Sequence, residues 1–167
     1  VYPLATLLTV FLLSFRFIAM PVLSELDAEE QTDQMKALYQ TVSKWIMVAT
    51  VPVFLAMALF PKPTIALTFG PEYLRGSIAL RILSIGFLTH AMLGLNGATL
   101  TAIGRTRLVF VANAAAAAIN FGLNLLLIPR FPLAGAATAT TAAYVILNGT
   151  FSGFLYLKTG ISPFDWN

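Results

Sequence analysis

Six polar residues stand inside otherwise apolar runs of this chain: Arg81, His90, Asn96, Asn113, Asn120 and Asn124. Their types suit an anionic, hydroxyl-rich molecule. A guanidinium stays charged at any working pH and offers a planar fork of donors for a phosphate or pyrophosphate, while amides both donate to and accept from sugar hydroxyls. Asn113, Asn120 and Asn124 are spaced i, i+7, i+11, so at about 100° per residue they fall within roughly 40° of one another on a helical wheel. The stretch around them, Leu108 to Ile128, carries no charge, and as a helix it is roughly 31 Å long, the thickness of a bilayer's hydrocarbon core. An amide facing lipid costs several kcal/mol, so the stripe must look at other helices or into a water-filled cavity. Both readings stay open for the asparagines. For Arg81 the alternative is that it reaches its own interface, and for His90 that it serves packing.

The elements that must hold these residues are membrane spans. The chain is 58% apolar and only 10% charged, with a mean hydropathy of +0.82, which is incompatible with a soluble domain that must cover itself with polar groups. We expect an all-α integral membrane protein with about five transmembrane helices, at 2–20, 45–60, 77–103, 108–128 and 134–157, and one amphipathic interfacial helix at 24–44. Pro21 should close the first span, with Arg16 reaching back to the interface, and Ser24 to Asp27 has the capping-box form that opens the amphipathic helix. Five of the seven acids follow there as a solvated face, Glu25, Asp27, Glu29, Glu30 and Asp33, and Trp45 should sit at headgroup depth. Pro52 should kink the second span, and Pro61-Lys62-Pro63 should break it before a loop turned by Gly70-Pro71. Gly86, Gly94 and Gly97 should admit close backbones in the third span, and Gly149 to Gly153, a GxxxG, should pack a helix in the fifth.

Charge gives a weak orientation. Arg16, Lys36, Lys44, Arg105, Arg107 and Lys158 fall on one side, and Lys62, Arg75, Arg81 and Arg130 on the other. The excess places the acidic segment and the C-terminus in the cytoplasm. With ten scattered cations and no basic patch, the sequence offers nothing to nucleic acid. It has no cysteine, so thiolate metal sites and disulfides are excluded, and no metal or cofactor is expected. Because it opens on Val1 in a hydrophobic run, we read the chain as a piece of a longer protein.

Four features in order carry a resemblance: Met20-Pro21-Val22-Leu23-Ser24, Phe69-Gly70-Pro71-Glu72-Tyr73, Gly104-Arg105-Thr106-Arg107, and Asn120 to Thr140 reading NFGLNLLLIPRFPLAGAATAT. Together they resemble the C-terminal part of polysaccharide exporters and oligosaccharide flippases, in the superfamily that also holds multidrug and toxin extrusion transporters and lipid II flippases. Pro132 departs from the pattern, which often has Gly in that turn. The resemblance implies about twelve to fourteen spans in two lobes, of which this chain supplies the C-terminal lobe, with the transport cavity between it and a missing N-terminal half. It implies flipping of a lipid-linked oligosaccharide or polysaccharide repeat unit at the cell membrane, for cell-surface glycan synthesis.

On that reading the six polar residues face the cavity, and the cargo is a lipid-linked anionic glycan. Arg105 and Arg107 read chiefly as topology determinants. No Asp or Glu falls inside the five expected spans, which counts against the alternative of a multidrug or cation antiporter, since such a carrier meets its cargo with an intramembrane acid. An intramembrane protease would have only Ser152 and His90 to work with, and no Gly-x-Ser-x-Gly elbow is present. A structural membrane subunit remains the third class, because a polar stripe can also bind a partner helix.

Overall fold

The structure is a computed structural model that describes residues 1–162. Eight α-helices follow one another, with no strand among the described residues. α1 (Tyr2–Thr6) passes through a 3-10 turn into α2 (Val10–Ala28), and α3 (Thr32–Leu59) leads to the short α4 (Pro61–Thr68). A 3-10 segment, Pro71–Gly76, precedes α5 (Ser77–Leu93), which continues as α6 (Leu95–Ala102), then α7 (Thr106–Leu127) and α8 (Pro132–Thr159).

Among the described residues four stretches are long and apolar enough to cross a membrane: Tyr2–Ala28, Thr32–Leu59, Pro71–Ala102 and Thr106–Leu127. With 28 residues α8 matches them in length, but its first half is dominated by Ala, Gly and Thr rather than by Leu and Ile. Its place in the bundle explains that composition. α8 lies between α5 and α7 and makes the most extensive contacts in the molecule with both, burying Gly135, Ala139 and Ala143 along one face and Ala137 on the opposite one. Small residues let backbones approach where lipid supplies no hydrophobic drive. Where α5 meets α8, a Cβ added to Gly86 would stand 2.8 Å from the Cα of Thr141, whose hydroxyl donates to the Ile82 carbonyl at 2.9 Å.

Two apolar clusters fill the bundle. One joins α2, α3, α6 and α8 through Leu23, Tyr39, Ile46, Leu95, Phe151 and Leu155. The other gathers Leu4, Leu8, Ile65, Leu80, Leu83 and Phe87 around the N-terminal half of α5. α7 only borders the first of these, through Ala116 with Leu108, Val109 and Ala112 packed beside it. Ala116 is its only buried residue, while Phe110, Val111, Phe121, Leu125 and Leu126 are all exposed.

Several boundaries differ from expectation. Pro21 lies inside α2 and Ser24 opens nothing, because the helix runs on to Ala28 with Leu23 fully buried beneath it. The stop comes at Glu30, in the left-handed region at φ 57°. There the Gln31 N–H reaches the Leu26 carbonyl and the Glu30 N–H that of Asp27. These are the paired bonds of a Schellman cap, usually built on Gly. The amphipathic segment is therefore divided: its first residues end α2 and the rest are the opening turns of α3. Pro61 begins α4 instead of a loop, as suits a residue whose fixed φ and missing N–H cost nothing in a first turn. The long third span is interrupted at Gly94, where a Cβ would meet both the His90 carbonyl and the Leu12 side chain of α2. Nothing lies within 4 Å of a Cβ placed on Gly149 or Gly153, so this GxxxG packs no helix among the described residues.

Candidate functional site: a polar groove between α7 and α8

The face of α7 that carries Asn113, Ala116, Ala117 and Asn120 meets the face of α8 that carries Thr140, Ala143, Tyr144 and Leu147, and a groove of about 330 Å³ lies between them, lined also by Tyr2. Both sets follow the i, i+3, i+4, i+7 spacing of one helical face. Ala116 and Ala143 are buried in the groove lining, while Asn113 is exposed and Asn120 half-buried.

Asn113 is exposed, and its amide donates only to the Val109 carbonyl of its own turn, at 2.7 Å, which leaves its side-chain oxygen free to accept from a ligand. Asn120 and Asn124 act together. Asn124 Nδ2 donates to the backbone and side-chain oxygens of Asn120 at 2.9 Å each, and Asn120 Nδ2 reaches Thr140 Oγ1 on α8 at 3.5 Å. Asn124 does not line the groove itself but fixes the rotamer of the residue that does.

Behind the wall lies an aromatic layer. Tyr144 stacks on His90 with ring centroids 4.5 Å apart and tilts against Phe87, which meets Tyr2 edge-on. The Asn148 amide donates to the Tyr144 carbonyl at 2.7 Å and lies 3.2 Å from His90 Nδ1. With the amide so oriented, Nδ1 accepts and the ring proton sits on Nε2. His90 thus positions Tyr144 from behind and does not line the groove.

Asn96 and Arg81 lie elsewhere. Asn96 is fully buried, accepting from the Tyr39 hydroxyl and donating to Ser152 Oγ at 2.5 Å, so it ties α3, α6 and α8 together in a dry node. Ser152 is accordingly engaged by Asn96 and His90 by Asn148, and the two do not form a nucleophile–base pair. Arg81 donates from Nε to the Ala58 carbonyl at the end of α3, at 2.9 Å, and lines a different pocket. Of the six residues proposed from sequence, the groove takes Asn113 and Asn120 directly, with Asn124 and His90 as supports. Tyr2, Thr140 and Tyr144 were missed. A signal for two of them existed, since Thr140, Ala143, Tyr144 and Leu147 keep helical spacing on the segment that follows the asparagine stripe.

An all-helical, multi-pass membrane protein with a polar groove at the edge of its bundle is the class that fold and site define. The chain belongs to the MurJ lipid II flippase family, whose family model matches residues 3–163. It is 32% identical over 151 residues to an uncharacterised membrane protein of Methanocaldococcus jannaschii, covering 87% of this chain and 29% of that protein. It is 24% identical over 150 residues to a probable low-salt glycan biosynthesis flippase of Haloferax volcanii, covering 87% of this chain and 32% of the relative. The chain thus spans about a third or less of the length of these relatives. No solved structure matches it.

Proposed function

We propose that this chain is the C-terminal lobe of a flippase that carries a lipid-linked oligosaccharide or polysaccharide repeat unit across the cell membrane, and that the groove between α7 and α8 is its share of the sugar-binding cavity. The other wall comes from an N-terminal lobe, and the C-terminus lies in the cytoplasm. One observation carries the reading: Asn113 and Asn120, at membrane depth, share an open concavity with two tyrosines and a threonine. Amides and hydroxyls among alanines match the alternating hydroxyls and ring faces of a sugar. Family membership and the flippase named in Haloferax volcanii support lipid-linked glycan as the class of cargo.

Asn120 has two tasks in this account. It offers its own amide to the cargo, and through Thr140 it holds α7 against α8 so that the groove keeps its width. Tyr144 presents its ring as a platform, held by His90 from behind.

The test is transport by the intact protein in proteoliposomes, scored by the fraction of lipid-linked oligosaccharide accessible on the far leaflet. Asn113→Leu and Asn120→Leu should each slow transport about tenfold, the worth of one lost hydrogen bond to a bound ligand, with insertion unchanged. Wild-type rates in both variants would remove the groove from the transport path.

A further inference from the structure

The second cavity in which sequence-proposed chemistry survives lies away from the groove, at the end of the bundle where α3 stops and α5 begins. Here Lys62 of α4, Arg75 of the 3-10 segment and Arg81 of α5 line one pocket of about 690 Å³. The three cations come from three separate elements, so their convergence does not follow from neighbouring positions in sequence. Its walls are apolar and bare: Leu59 is 62% exposed, Phe60 61% and Ile78 67%. The one acid of the adjoining loop, Glu72, holds its carboxylate over Gly70 and is not among the lining residues.

We infer that this pocket is a docking site for an anionic phospholipid of the surrounding bilayer, distinct from the transport groove. Charge complementarity selects the head group. Three cations without a lining acid attract a phosphate, and the pairing gains strength at the edge of a low-dielectric slab. The exposed Leu59, Phe60 and Ile78 select a ligand with hydrocarbon attached, because inorganic phosphate would leave them bare. Arg81 is anchored for the task. Its Nε is held by the Ala58 carbonyl at the end of α3, so the guanidinium is oriented before the lipid arrives and little rotamer entropy is lost on binding. A lipid seated here would bridge α3, α4 and α5 and brace the loop between the spans.

The experiment is native mass spectrometry of the intact protein, delipidated and titrated with phosphatidylglycerol. The variant is Lys62→Gln with Arg75→Gln, which leaves the Arg81 anchor in place. Each lost cation should weaken retention about fivefold, roughly 25-fold for the pair, while Asn120→Leu in the groove should retain lipid as the wild type does. Wild-type retention by the Lys62 and Arg75 pair would overturn the inference, and so would displacement of phosphatidylglycerol by equimolar inorganic phosphate. Because the readout is lipid retention and not transport, its failure leaves the reading of the groove standing.

Discussion

Two sets of asparagines in one small bundle have opposite surroundings. Asn96 is fully buried and bonded at both ends, to Tyr39 and to Ser152. Asn113 is exposed and bonded only to its own helix. The difference lies in what the neighbouring helix offers. Opposite Asn96 stand hydroxyls from α3 and α8 that consume both halves of the amide, so the node is complete without a ligand. Opposite Asn113 stand Ala143 and Leu147 of α8, which cannot, so its free capacity remains. An intramembrane amide thus marks either a joint or a binding surface, and the partner on the facing helix decides which.

The largest effect that would sharpen this contrast is expected at the joint. Asn96→Leu leaves the buried Tyr39 hydroxyl and the half-buried Ser152 hydroxyl without their partner and should destabilise the bundle by about 2 kcal/mol, read as a fall in midpoint in a detergent denaturation series. Asn113→Leu should leave that midpoint within about 0.5 kcal/mol. Equal losses in the two variants would erase the distinction.

Next in size is a test of the scaffold behind the groove. Gly86→Ala sets a Cβ 2.8 Å from the Thr141 backbone, where no side chain can give way, and should cost about 1–2 kcal/mol by parting α5 from α8. Gly149→Ala meets nothing within 4 Å and should be neutral or slightly stabilising, since alanine is the better helix former. Smallest is Asn124→Ala. It frees the Asn120 side chain without touching the groove, and should slow transport about threefold with stability nearly unchanged, a few tenths of a kcal/mol.

The sequence was most informative where physics leaves one solution. Apolar runs of bilayer length, the charge-free stretch around the asparagines and the turn at Gly104 all correspond to elements of the structure. Gly104 sits at φ 75° and closes α6 with the same paired bonds that close α2 at Glu30. Of these two matching caps only one was legible, because glycine advertises a left-handed residue and glutamate does not. The break at Gly94 was hidden for a related reason: a helical glycine says that something comes close, not that the helix stops there. The six polar residues were readable as polar groups at membrane depth, but their sorting into joint, groove, support and separate cationic pocket depends on which helix faces which. That is tertiary information, and no periodicity within a single span contains it.

The central claim is that the asparagine face of α7 looks into water. Because the chain has no cysteine, single-cysteine variants report on one position at a time, and a membrane-impermeant thiol reagent applied to the intact protein from either side gives the answer. Cysteine at Asn113 or Asn120 should be modified rapidly, and cysteine at Asn96 only after unfolding. Unreactive thiols at both groove positions, beside a reactive one at the buried node, would contradict the account.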